Sequence, residues 1–141
     1  MKKNISMILL IVLALVAVTF CVLWQDALHD KSDLEAFAQA AANEAYTCFL
    51  DFQEKGYDSD YWGGVAAFHA FQGAYCLLTE GTAQSVNLVF CNEVYGSLLL
   101  SPERAKAHIS DVIAVMEILS ENGRDENGFL RMSELRNVLR R

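Results

Sequence analysis

The chain is 141 residues long, 53% hydrophobic and 21% charged, with one proline, eight glycines and a formal net charge of −7. This balance excludes a disordered chain, a collagen-like repeat and a polybasic nucleic-acid binder, so no nucleic-acid partner is expected. The charge is unevenly placed: the first 25 residues carry only Lys2 and Lys3, and all eighteen acids lie at or beyond Asp26.

Ile5 to Trp24 reads ISMILLIVLALVAVTFCVLW, without a single charged side chain. A helix of this length covers the ~30 Å hydrocarbon layer of a bilayer with every backbone group satisfied internally. Trp24 stands where an interfacial aromatic belt is expected. Lys2 and Lys3 precede the segment and Asp26 and Asp30 follow it, so the positive-inside rule puts the N-terminus in the cytoplasm. The competing reading is a cleaved secretory signal, which has an apolar stretch of ~7–15 residues followed by small residues. Here the stretch is longer, and the best small pair, Ala17 and Thr19, falls inside it. Phe20 before Cys21 does not suit a lipoprotein signal. The expectation is a single-pass signal-anchor: residues 1–25 form a cytoplasmic stub and transmembrane helix, and residues 26–141 an extracytoplasmic domain.

That domain is large enough for one core. No internal repeat or strand-like alternation appears, so the expected fold class is all-α, an N-terminal transmembrane helix followed by a small exported bundle of four to five helices. The first exported helix is predicted from Ser32 or Asp33 to about Lys55. Ser32 and Glu35 fit a capping box, Leu34, Phe37, Ala41, Ala45, Cys48, Phe49 and Phe52 form the apolar stripe, and Gly56 stops the helix.

The second helix is predicted over Ser59 to Thr79, with no charge between Tyr61 and Leu78. Val65, Phe68, Phe71, Tyr75 and Leu78 are its bulky residues. Ala66, Ala70 and Ala74, with Gly73, make a notch for a neighbouring helix, a pattern that also suits membrane pairs. His69, Gln72 and Tyr75 make a second span costly, so this segment reads as the buried central helix of the bundle.

The third helix is predicted over Ala83 to Leu100, capped by Thr82, with Val86, Val89, Phe90, Val94 and Leu98 inward. Ser101-Pro102-Glu103 starts the fourth, since proline suits the first turn and serine caps it. Ala105, Ile109, Val112, Ile113, Met116 and Leu119 mark its buried face, and Asn122-Gly123 stops it. A short fifth helix is predicted from about Met132 to Arg140.

Residues 26–99 hold eleven acids and two lysines, whereas 100–141 hold seven of each sign. Solvated faces account for most such charge. Asp51, Glu54, Asp58 and Asp60 are the patch that best suits a basic partner. Arg136, Arg140 and Arg141 suit an acidic partner or a helix C-terminus.

Four cysteines occur, at 21, 48, 76 and 91, without a C-x-x-C, so thioredoxin-like, zinc-ribbon and haem-attachment readings have no motif. In an up-down-up arrangement Cys48 and Cys91 fall at similar heights, which allows a disulfide in an exported domain. The alternative is three small buried hydrophobes. Trp62, His69 and Cys76 recur every seventh residue and share a helix face. His69 and Cys76 are then about 10 Å apart, too far for one metal ion from a regular helix, and a hydrogen-bonded core histidine is the expectation. His29 and His108 are the other histidines. Gly63-Gly64 is too isolated to form a phosphate loop. No G-x-S-x-G, H-E-x-x-H or Walker A pattern is present. The chain therefore reads as a non-enzyme, with no catalytic, cofactor-binding or metal residue assigned.

One stretch, Asp125-Glu-Asn127-Gly128-Phe129-Leu130 through Glu134, resembles the later part of an EF-hand calcium loop and its exit helix. The resemblance implies Asp125 and Asn127 as third- and fifth-position oxygens, Gly128 as the sharp turn, Phe129 as a carbonyl donor and Glu134 as the closing bidentate ligand. The first position of the 123–134 register is Gly123 rather than aspartate, so the resemblance implies a degenerate site. A polar turn between two capped helices is the alternative.

The functional expectation is a membrane-anchored helical bundle that binds another protein or shapes an envelope assembly. The alternative is a ligand or calcium sensor, its ligand a small molecule of unknown identity held in the bundle core, against the aromatic second helix, or calcium in the 123–134 stretch.

Overall fold

The computed structural model describes the backbone of residues 2–79 and 85–140, and most side chains from His29 onward. Among these residues every regular element is an α-helix: α1 (Lys2–Lys55), α2 (Asp58–Leu78), α3 (Ser85–Leu100), α4 (Pro102–Ala107), α5 (Ile109–Glu121) and α6 (Glu126–Arg140). The chain divides into two compact units, Met1–Asp33 and Leu34–Arg141.

In the first unit the backbone of 5–24 is helical. Apart from Thr19 and Leu23, the side chains of the expected anchor lie outside the described residues. Among the described residues no helix is long and apolar enough to cross a membrane.

The capping box expected at Ser32 and Glu35 is not formed, because both residues lie in the interior of α1. Neither glycine nor proline occurs between Asp26 and Leu34, so propagating the helix costs less than ending and renucleating it. Gly56 does stop α1: its φ of +73° is left-handed, and its N–H donates to the Phe52 carbonyl at 2.8 Å. The Thr82 cap lies outside the described residues.

The second unit is a helical bundle with one core. The last part of α1 contributes Ala38, Ala41, Ala42, Ala45 and Phe49, and α2 contributes Tyr61, Val65, Phe68, Phe71 and Tyr75. These small alanines let α1 and α2 approach, and Gly64 completes the fit: a Cβ there would lie 2.6 Å from the Phe49 ring. The burial stripe of α1 is centred nearer Ala38 and Ala42 than expected, which leaves Phe37 54% exposed. Gln39 donates to the carbonyls of Ser120 and Glu121 at 3.2 and 2.9 Å, and Gln53 to the Ser110 hydroxyl at 2.7 Å. Those pairings run α1 antiparallel along α5.

The Pro102 corner is built from two helices. Residue 102 would ordinarily donate its N–H to the Leu98 carbonyl, but proline has none. The Tyr61 hydroxyl donates to that carbonyl instead, at 2.7 Å from a fully buried position. Burial, with the nearby Glu103 charge second, pushes the Tyr61 pKa up to about 12. Ser101 occupies the N-cap position of α4 without making a side-chain cap bond.

The single helix expected from Pro102 to Glu121 is two. The backbone leaves helical angles at His108, whose carbonyl accepts the N–H groups of Asp111 and Val112 and so opens α5. The last helix is longer than expected, because Asp125 caps it. Its Oδ1 accepts the N–H groups of Asn127 at 2.7 Å and Gly128 at 3.2 Å, so α6 starts at Glu126 rather than near Met132. α6 packs against both α3 and α5 and supplies Phe129, Met132, Leu135 and Leu139 to the core.

Candidate functional site

α2 and α3 form an antiparallel pair with a described seam. Asn87 donates to the Tyr75 hydroxyl at 3.2 Å, the Gln72 and Asn92 side chains are hydrogen-bonded, and the His69 ring stacks on Tyr95 at 4.7 Å. Their inward faces are aromatic and aliphatic, and so are their outward faces. On α2 the exposed positions are Asp58 and Ser59 in the first turn, then Trp62, Ala66, His69, Gly73, Cys76 and Leu77. On α3 they include Val86, Val89, Asn92, Leu99 and Leu100, the last 81% exposed.

Among the described residues the exposed positions from Trp62 to Leu77 of α2 and from Val86 to Leu99 of α3 carry no charge, whereas Gly96 and Leu100 at the end of α3 share a groove with Glu93, Arg104 and Arg140. α2 carries acids only at Asp58 and Asp60, in its first turn, where they suit the helix dipole. The one charged residue of α3, Glu93, turns to α6 and pairs with Arg136 at 3.2 Å and with Arg140. Arg136 also lies over the Phe90 ring at 4.9 Å. The arginines singled out in the sequence are therefore engaged within the bundle, except Arg141, which lies outside the described residues.

The Trp62, His69 and Cys76 spacing does define one face, but that face points outward. His69 is exposed rather than a core histidine, and it is held by stacking on Tyr95 and a 3.4 Å contact with Gln72. Ala66 and Gly73 of the expected notch are likewise exposed, and Val86 and Val89 of the expected α3 stripe are 57% and 48% exposed. Cys91, which the stripe omitted, is fully buried beside Val94 and Leu98.

Cys48, Cys76 and Cys91 are free, so the Cys48–Cys91 bridge is not formed. Cys48 instead packs at Gly63, where a Cβ would meet its sulfur at 3.3 Å. Burial pushes the Cys91 thiol up to about 12, and burial together with Glu44, Asp60 and Asp51 raises Cys48. Neither thiol is poised as a nucleophile.

The EF-hand register meets a different geometry. Asp125 spends its carboxylate as a helix cap. Gly128 is buried inside α6, where a Cβ would lie 2.7 Å from Leu119 Cδ2, so its role is close packing and not a loop turn. Glu134 pairs with Arg131 at 3.1 Å. Residues 126–134 are helical, whereas a calcium loop must wrap its oxygens around one point. Among the described residues no cluster of histidine, cysteine and carboxylate side chains suits a metal ion.

The acidic patch after α1 is partly neutralised. Asp51 pairs with Lys55 at 2.8 Å and Asp58 with Lys106 at 2.7 Å. The Lys106 ammonium also lies over Tyr61 at 5.2 Å and over Phe52 at 5.7 Å. The aromatic rings of α2 pack on one another: Phe68, Phe71 and Tyr75 form a continuous run onto Phe129. A groove of about 450 Å³ lies instead between α5 and α6, among Asp111, Ala114, Ile118, Arg131 and Glu134.

The feature that stands apart among the described residues is thus the run of exposed, uncharged positions on α2 and α3 in an acidic chain. Compared with protein families, with curated proteins and with solved structures, the chain matches none.

Proposed function

We propose that this protein is a membrane-anchored, extracytoplasmic helical bundle that works by binding protein rather than by catalysis. The observation that carries the reading is the α2–α3 outer face. Trp62, Leu77, Val86, Val89 and Leu99 are exposed on two adjacent helices, and the other exposed described residues between Trp62 and Leu77 and between Val86 and Leu99 carry no charge. Contiguous exposed apolar surface of this kind marks contact sites, whereas scattered single apolar residues do not. Trp62 is also of the residue type enriched at the centres of interfaces.

The anchor is supported by the uncharged run Ile5–Trp24, by its helical backbone and by Lys2 and Lys3 before it. Tethering beside a membrane raises the effective concentration of the bundle for other membrane proteins, so a modest affinity suffices.

Two measurements test the reading. In intact cells producing the full chain with Asn43→Cys, on the exposed side of α1, a membrane-impermeant maleimide labels position 43 beyond the level of the parent if the bundle is exported; labelling of that position only after lysis would refute the topology. A photo-crosslinking side chain at position 62, 77 or 89 forms protein adducts, whereas one at position 43 on the exposed side of α1 does not. Equal yields at all four positions would remove the α2–α3 face as the contact site.

A further inference from the structure

We propose that the α2–α3 outer face is covered by a second copy of this chain, making a symmetric dimer; the inference rests on the protein-binding reading above and names its partner. Charge is the first argument. Residues 26–99 carry eleven acids against two lysines, so two copies meeting through most other surfaces of α1 and α2 would set like charges together. Among the described residues the exposed positions of α2 from Trp62 to Leu77 and of α3 from Val86 to Leu99 are uncharged, with Glu93 paired to Arg136 and Arg140. Two copies meet there without that penalty. A strongly acidic or basic partner gains nothing from such a face by charge complementarity.

Area is the second argument. With α2 of 21 residues and α3 of 16, lying side by side, the face measures roughly 27 Å by 20 Å. Two such faces in contact bury about 1,100 Å², close to the lower bound for a specific interface. That size suits a weak dimer, which tethering in a membrane would favour.

Shape is the third. Ala66, Gly73 and Gly96 lie between the large residues, and a Cβ at Gly73 or Gly96 meets nothing within 4 Å. Large and small positions therefore alternate along the face, and side chains of a second copy such as Leu77, Val89 and Leu99 have places to seat. A two-fold contact must be self-complementary in this way.

Sedimentation equilibrium of the full-length chain in neutral detergent, across the micromolar range, tests the dimer. A monomer–dimer equilibrium is expected, with Gly73→Arg and Leu99→Glu each weakening association at least about tenfold through like charges placed across the axis. Both sites are open to solvent, so the helical circular dichroism of the variants should match the parent. Ala114→Arg, on the outer side of α5, should leave association unchanged. Maleimide labelling of Cys76 should slow as the dimer forms and recover in Gly73→Arg. A parent chain that stays monomeric, a dimer insensitive to Gly73→Arg, or Cys76 labelling independent of association would each overturn the proposal. If the parent is monomeric but crosslinks to a different protein from position 62 or 89, the self-association is wrong and the protein-binding reading stands.

Discussion

The α2–α3 and α5–α6 pairs serve the same core and treat solvent in opposite ways. α5 buries Ile109, Val112, Ile113, Val115, Met116 and Leu119, and turns Asp111, Glu117 and Glu121 outward. α6 likewise buries Phe129, Met132, Leu135 and Leu139 and exposes Arg131, Glu134 and Arg140. On α2 and α3 the outer side also carries large apolar residues, with His69 and Asn92 as polar groups, so composition separates the two sides poorly. What orients α2 is shape and hydrogen bonding: Gly64 against Phe49, and the Tyr61 hydroxyl on Leu98. An amphipathic helix is oriented by water, and a uniformly apolar one by the fit of its neighbours.

The sharpest way to break this contrast is to compare the two sides of α2. Phe71→Ala, in the core, should cost about 3–5 kcal/mol in urea unfolding, while Leu77→Ala on the outer face should cost less than about 0.5 kcal/mol. Similar losses would mean that the outer face is packed.

Alkaline pH tests the buried side. Burial raises Tyr61 from 10.0 and Cys91 from 9.0, each to about 12. The folded protein therefore holds these protons more tightly than the unfolded chain does. Stability from this source is full below pH 9 and is lost as pH rises from 9 towards 12. Phenolate absorbance and circular dichroism followed together should show the last tyrosines ionising as the helices melt; early ionisation with the fold intact would contradict the buried seat.

A smaller effect is expected from Tyr61→Phe, which leaves the Leu98 carbonyl buried without its donor and should cost about 1–3 kcal/mol. On the charged pair, Asp125→Ala removes the α6 cap and should cost about 1 kcal/mol, with faster amide exchange at Asn127 and Gly128. The smallest change has the opposite sign. Gly73→Ala, where added atoms meet nothing within 4 Å, should stabilise the monomer by up to about 1 kcal/mol as read by its melting midpoint.

The same contrast explains what could be read from the residues alone. The α5 stripe is legible because Asp111, Glu117 and Glu121 mark the opposite side of the helix. So were Gly56 as a stop and Pro102 as a start, since each acts through its own backbone. On α3 the expected stripe holds at Val94 and Leu98, which are buried, but size also points to Val86 and Val89, which are exposed, and passes over the smaller Cys91, which is buried. Hydrophobicity carries little directional information when nearly every position is apolar. The outward turn of Trp62, His69 and Cys76 was hidden for the same reason, although their common face followed from the seven-residue spacing. The start of α6 is hidden in the sequence because Asp125 resembles a calcium ligand and serves as a cap. Both roles ask for a carboxylate beside a turn, and only the helical path of residues 126–134 separates them.

The Tyr61–Leu98 bond bears on how this bundle can be divided. The corner at Pro102 ends α3 by removing a donor, and the replacement donor comes from a helix 37 residues earlier in the chain. A fragment starting at Ser85 would keep α3 to α6 and their mutual contacts but would carry an orphaned carbonyl at its first corner. It would also expose the aliphatic side of α3 that α2 covers. The C-terminal half is therefore not a separable piece, and any dissection of this protein should keep residues 34–140 together.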